Sequence, residues 1–275
     1  MRAYPKSSIV TRNQAFTGEQ MPQKVLPMVS RGNVSLTAER RHLSLIVYAV
    51  PSERLRPLIP ASFEIEETVL NGRRMAWVSV ESFLDLNGAG QASFEQTNYR
   101  LHVLRDGEPC LWLLGSSIGS LSAVGTRNLW PVPWHLGAME FQVAYDLPEG
   151  RYGTYRLRTQ SQWASAEWQI QDTGDWLSLD EIQQLPASLQ NSTAVSYFPR
   201  RDGTEGRQQE QRPEPLFTRG QLLSARCDLL ERLGLVRAEE LKRPQFIALQ
   251  HNLSCRFGAP SAVGAVHNEK FLRAA

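Results

Sequence analysis

Thr97-Asn98-Tyr99-Arg100-Leu101-His102-Val103-Leu104 alternates residue by residue. In an extended chain successive side chains point to opposite faces, so Tyr99, Leu101 and Val103 share one face while Asn98, Arg100 and His102 share the other. Asp106-Gly107 then supplies a tight turn, and Cys110 to Leu114 (CLWLL) returns as an apolar strand. The segment reads as a β-hairpin.

Upstream, Arg74 to Leu86 (RMAWVSVESFLDL) repeats the period of two, with Ala76, Val78, Val80 and Leu84 on one face. His42 to Val50 (HLSLIVYAV) is a mostly apolar strand. Between them, Pro51 to Leu58 opens on proline and predicts a short helix that stops near Pro57. Downstream, Ser120 is the expected N-cap of a helix through Leu129 that ends at Pro131. Ala138 to Tyr145, Tyr152 to Thr159 and Ala164 to Gln171 follow as strands, with Pro148-Glu149-Gly150 turning between the first two. A short helix is expected over Leu179 to Leu185, before Pro186.

Residues 200 to 215 (RRDGTEGRQQEQRPEP) are charged, glutamine-rich and bounded by prolines, and read as an exposed surface loop. Leu222, Leu223, Leu229, Leu230 and Leu233 predict an amphipathic helix over Gln221 to Leu233, with Gly234 as its C-cap. Gln245 to Phe257 closes as a last strand. Many short strands with hairpin turns and few helices imply an α+β fold built on an antiparallel barrel or sandwich.

The chain has 275 residues, 41% hydrophobic and 21% charged, with a net charge of +2. That size suits a single domain, expected over residues 36 to 262. Residues 1 to 35 read as a loosely ordered N-terminal tail rather than a signal peptide, a transit peptide being the alternative, and 263 to 275 as a C-terminal tail. The arginines are scattered, which argues against a nucleic-acid footprint. No apolar run reaches membrane-spanning length. Cys110, Cys227 and Cys255 are odd in number and far apart, so they form no disulfide framework, and a cytoplasmic setting is expected. A homo-oligomer is compatible with this composition.

Three groups of residues carry chemistry. Gly115-Ser116-Ser117-Ile118-Gly119 matches G-x-S-x-G and puts Ser117 in the place of a hydrolase nucleophile. Strands rather than alternating helices follow it, and no oxyanion motif precedes it, so a glycine-serine bend is the expected reading. The row Asn98, Arg100, His102 is either a solvent-facing sheet surface or the lining of a barrel whose arginine holds a carboxylate. Alternation does not decide which. The stretch Gly125 to Gly137 (GTRNLWPVPWHLG) is stiffened by Pro131 and Pro133 and holds Arg127, Trp130, Trp134 and His135. His135 is its candidate proton-transfer group. His251 and Cys255 are four apart on one strand, which places them about 13 Å apart on one face, too far for one metal. No metal or cofactor is expected.

Three segments together resemble the acetoacetate-decarboxylase-like superfamily, and more closely its functionally unassigned branch. They are His42 to Pro60 with Leu55-Arg56-Pro57-Leu58-Ile59-Pro60, Asn98-Tyr99-Arg100 through Trp112 and Arg127-Asn128-Leu129-Trp130 to His135, and Gln250-His251 to Pro260. The resemblance spans residues 36 to 262. It implies a closed, cone-like antiparallel β-barrel with flanking helices and an apolar internal cavity. The decarboxylases form a Schiff base between a loop lysine and a 3-oxo acid, with a second lysine lowering its pKa. At the matching positions this chain has Trp134 and His135, and its lysines are Lys6, Lys24, Lys242 and Lys270. The decarboxylase glutamate on the strand matching Thr97 to Leu104 corresponds to Gln96, with Glu95 adjacent. The resemblance thus implies a cavity without a Schiff base. Trp130 and Trp134 would form its apolar wall, Arg100 or Arg127 an anion contact, and Asn98 a polar contact. The expected ligand is a small organic acid or carbonyl compound. The alternatives are a lysine-independent lyase or isomerase using His135, and a serine hydrolase using Ser117. A protein-binding role for the 200 to 215 loop ranks lower.

Overall fold

A computed structural model of the protein describes residues 9–10, 36–87, 93–120, 132–213 and 216–265. The described strands are β1 (Ile9–Val10), β2 (Leu36–Pro51), β3 (Glu64–Ile65), β4 (Glu67–Leu70), β5 (Arg73–Asn87), β6 (Phe94–Arg105), β7 (Glu108–Ile118) and β8 (Trp134–Leu136). They continue as β9 (Ala138–Asp146), β10 (Arg151–Gln160), β11 (Ser165–Trp176), β12 (Thr193–Pro199), β13 (Thr204–Gln211), β14 (Thr218–Cys227), β15 (Phe246–Phe257) and β16 (Ser261–Ala265). Three short helices accompany them: α1 (Leu179–Ile182), α2 (Ala187–Gln190) and α3 (Asp228–Arg232). The chain is therefore mostly β-sheet, and none of the described helices is long and apolar enough to cross a membrane.

The β6–β7 hairpin forms as its sequence predicts. Asp106 and Gly107 have φ of 53° and 80°, the positive pair that a two-residue hairpin turn requires. From this hairpin the pairings run β7-β12-β13 on one side and β6-β5-β2-β15 on the other. Glu210 and Gln211 of β13 then pair with Phe257 and Arg256 of β15, so the pairings of seven strands return on themselves. The remaining strands form a wing, β1-β9-β10-β11-β14, attached to this circuit by Thr218 and Arg219 against Leu249 and Ala248. Most pairings are antiparallel; β7 pairs with β8 and with β12 in parallel.

The wing lies over the outer face of the circuit. Phe141, Tyr155, Leu157, Trp168 and Ile170 of the wing share one buried core with Ile46, Tyr48, Val78, Val80, Tyr99, Leu101 and Trp112. A second core, with Leu43, Leu45, Val47, Trp77, Phe83, Ala248 and Leu253, lies on the inner face. It is closed by Leu185, in the turn after α1, and by Leu189 of α2. Ser178 and Glu181 form a reciprocal capping box on α1. β2, β5 and β6 are thus buried on both faces.

Several expected elements differ. Pro51 to Leu58 is two 3-10 turns, Ser52–Arg54 and Arg56–Leu58, not one helix. The helix expected over Leu179 to Leu185 is the single turn α1. Gln221 to Leu233 is mostly strand: β14 pairs with β11 from Ala166–Cys227 to Trp176–Thr218, and only Asp228–Arg232 is helical. Gly234, at φ 68°, still closes that helix, as expected. The loop expected at 200 to 215 contains β13, paired along its length with β12. Its Glu205 and Glu210 are buried against distant arginines, which is why a charged sequence forms an interior strand. The helix expected from Ser120 to Leu129 lies outside the described residues.

Candidate functional site

The inner face of the circuit carries a buried charge network. Arg40 on β2 donates from Nη1 to Glu210 Oε1 at 2.8 Å and from Nη2 to Oε2 at 3.4 Å. Arg100 on β6 pairs with Glu81 Oε2 on β5 at 2.9 Å and lies 4.0 Å from Glu210 Oε2 on β13. β6 and β13 are not neighbours in the sheet, so the contact spans the circuit. Arg40 also lies 3.7 Å from Glu81. All four side chains are 2 to 5% exposed.

The strands position this network by alternation and hold it by stacking. The Arg40 guanidinium sits 4.1 Å from the ring centre of Phe83 and 5.0 Å from that of Phe257. Asn98 donates from Nδ2 to Glu81 at 3.1 Å, while its Oδ1 accepts from Ser116 Oγ at 2.7 Å and Gln96 Nε2 at 2.6 Å. Burial opposes ionisation of Glu210, but Arg40, Arg100 and Arg212 outweigh it and hold its pKa at about 2. Burial raises the pKa of Asp85, which sits opposite Arg40 on β5. His102, further along the same face, bonds Ser188 Oγ at 2.7 Å and Ser79 Oγ at 2.9 Å. Burial, with Arg100 and Arg212, lowers its pKa to about 3, so it is neutral at pH 7. Arg40 Nε, Arg100 Nε and Asp85 Oδ1 of this network are buried with no partner among the described residues.

The residues expected to form one site are divided. Asn98 and Arg100 lie on the inner face, so the polar row faces the interior and not solvent. Trp134 packs with Leu113, Val132 and Phe198. His135, one residue on, pairs with Ser117 rather than Ser116 and stacks on Trp163 at 4.1 Å and 7°. Trp163 meets Tyr99 of the outer core edge-on at 5.5 Å. Strand alternation therefore puts His135 and Arg100 on opposite sides of the sheet. Arg127 and Trp130 lie outside the described residues.

Ser117 is not on an elbow. It is a fully buried residue within β7, paired with Thr97 on β6 and His135 on β8. A nucleophile elbow needs a sharp strand-to-helix turn that exposes the hydroxyl, so the hydrolase arrangement is absent. Gly115 answers to packing instead, because a Cβ there would lie 2.6 Å from the Trp163 ring. His251 and Cys255 also fall on opposite faces. His251 stacks on Tyr145 of the wing, while Cys255 Sγ lies 3.4 Å from Glu210 on the inner face. A break in the β2–β15 ladder between them shifts the alternation. Among the described residues no group of three metal-binding side chains converges.

Sequence reading missed Arg40, Glu81 and Glu210. Glu81 was accessible, since it lies opposite the apolar face of Ala76, Val78 and Val80 on a well-patterned strand. Arg40 and Glu210 are 170 residues apart, and no local pattern links them.

The DUF2071 family, described as an uncharacterized conserved protein, matches residues 37–248. No curated protein matches the chain. Among solved structures, acetoacetate decarboxylase from Legionella pneumophila subsp. pneumophila str. Philadelphia 1 is similar at 12% identity and TM-score 0.52, covering 90% of this chain and 93% of that one. An acetoacetate decarboxylase-like enzyme from Sphingomonas wittichii RW1 is similar at 10% identity and TM-score 0.50, covering 84% and 94%. The enduracididine biosynthesis enzyme MppR with HEPES buffer bound is similar at 12% identity and TM-score 0.50, covering 83% and 88%. These likenesses show an acetoacetate decarboxylase-like fold.

Proposed function

The chain belongs to the DUF2071 family, and we propose that it binds a small, partly apolar organic acid or carbonyl compound inside the circuit of seven strands, which we read as a closed barrel. The observation that carries this reading is the pair of buried guanidinium groups, Arg40 and Arg100, each with an Nε that has no partner among the described residues. Glu81 and Glu210 hold the two arginines by their terminal nitrogens. The Nε–H donors then suit a carboxylate or carbonyl oxygen. Burying four charges is costly, and apolar side chains of similar volume are often as stable or more so. Keeping the network therefore fits recognition better than it fits stability. Trp134, Leu113 and Phe198 would supply the apolar wall.

Lysine Schiff-base decarboxylation is not part of this reading. Trp134 and His135 stand where the decarboxylase lysines are expected, and Lys242 is exposed. The inner face instead holds Glu210 ionised and His102 neutral, which favours binding over proton transfer.

A thermal-shift screen of short 2-oxo acids, 3-oxo acids and acyl esters tests the reading in three proteins: wild type, Arg100→Lys and His135→Ala. A ligand at 100 times its dissociation constant stabilises the native state by roughly 2.7 kcal/mol. The expected result is a shift with an oxo acid that Arg100→Lys loses and His135→Ala keeps. A shift lost in His135→Ala instead would move the site to the outer face and revive an acid–base role for His135. No shift with any class contradicts the proposal.

A further inference from the structure

Where the wing leaves the circuit, the sheet forks. β15 pairs with β14 at Ala248 and Leu249 and with β13 only at Arg256 and Phe257. At this fork both β2 and β15 shift their alternation. Leu43, Leu45 and Val47 face the inner core, as Arg40 faces the inner network, and Ala248 shares that core with Leu253 and Cys255. The residue that absorbs the shift on β2 is His42, at φ 54° in the left-handed region. Histidine enters this region more readily than most side chains, but a non-glycine residue there is uncommon, and here it lies inside a strand.

His42 faces His251 across the two strands, with ring centres 5.2 Å apart and planes at 60°. The wing covers both. Tyr145 of β9 stacks on His251 at 3.8 Å and 4°. Tyr152 of β10 approaches His42 Nδ1 with its hydroxyl at 3.4 Å, and Tyr155 donates to the His42 carbonyl at 2.6 Å. The charged neighbours are Arg41 on β2 and Asp172 on β11. Arg41 opposes protonation of both histidines. Asp172 is already engaged by the backbone N–H groups of Tyr152 and Gly174. His251 Nδ1 is buried with no partner among the described residues.

We propose that the His42–His251 pair is an acid-sensitive wedge between wing and circuit. Neutral, the two rings fill the fork and dock Tyr145 and Tyr152. Protonated, each ring needs two acceptors; among the described residues the Tyr152 hydroxyl is the one acceptor near His42, His251 Nδ1 has none, and the nearby Asp172 carboxylate is already engaged. The strands beside the fork then separate locally while β5, β6 and β7 stay folded. Burial, with His251 and Arg41, lowers the pKa of His42 to about 4, which keeps the wedge closed at pH 7.

Hydrogen–deuterium exchange on the full chain at pH 7 and pH 5, corrected for the intrinsic pH dependence of exchange, tests this. A histidine titrating at 6.5 when open and about 4 when closed raises the opening constant about twentyfold between these values. That loss of protection is expected first in peptides covering residues 142–155 and 249–253, and there it should clearly exceed any loss in β5 to β7. His42→Asn, which tolerates the left-handed backbone, and His251→Phe, which keeps the stack on Tyr145, should each reduce the response. Together they should abolish it. Uniform loss of protection across the chain, no loss at pH 5, or an undiminished response in either variant would overturn the proposal.

Discussion

On β6, Tyr99, Leu101 and Val103 are 0% exposed beneath the wing, while Asn98, Arg100 and His102 are 2, 5 and 0% exposed on the inner face. One strand thus buries two faces made of opposite materials. The apolar face is stabilised by its removal from water and needs no particular partner. The polar face is stable only while every charge keeps its counterpart. Glu210 without Arg40 would lose its hydrogen-bonded partner and keep only Arg100, at 4.0 Å, and Arg212 against the cost of its burial. The difference teaches that alternation in this fold separates two interiors, and that solvent lies on neither side.

Breaking the polar face should have the largest effect. Arg40→Met leaves Glu210 without its main partner and is expected to cost about 3–5 kcal/mol in urea unfolding. Arg40→Met combined with Glu210→Leu should recover most of that loss, because it removes the unpaired charge. Leu101→Ala, one residue from Arg100 on the opposite face, should cost about 2–5 kcal/mol, with no second substitution at a distant strand able to rescue it.

Acid should sharpen the contrast next. His42 and His102 have pKa values lowered to about 4 and about 3 from 6.5, so the unfolded chain binds their protons first. Their contribution is present above pH 6.5 and is lost as pH falls toward 4 and 3. Glu210, lowered to about 2 from 4.5, adds a contribution present above pH 4.5 and lost toward 2. Melting temperatures should be level from pH 8 to 7 and fall steadily below 6.5. The smallest effect belongs to the exposed outer surface of the wing. Glu167→Gln removes a pair with Arg156 that is 31% and 45% exposed, and urea unfolding should change by no more than about 1 kcal/mol.

The hairpin at β6 and β7 was legible because alternation and the Asp106-Gly107 turn are local. The same local reading failed at Gln221 to Leu233, where leucine spacing fits a helix but the partner strand β11 decides. It failed at β13 for a related reason. Thr204 to Gln211 looks like solvated loop until Arg105 and Arg40, 100 and 170 residues away, are brought to Glu205 and Glu210. Arg100 and Asn98 could be picked out of the sequence as a polar row. Their orientation could not, because both faces of the strand are enclosed. His135 and Arg100 looked like partners by residue type, and one residue of register separates them.

The most direct test is nuclear magnetic resonance of the arginine side-chain Nε–H groups during titration with the 2-oxo and 3-oxo acid panel. The account predicts that Arg40 and Arg100 signals move together with one of these acids, while Arg156 on the wing stays fixed. Interior signals that stay fixed throughout, or that move no more than those of Arg156, would contradict a ligand held inside the circuit.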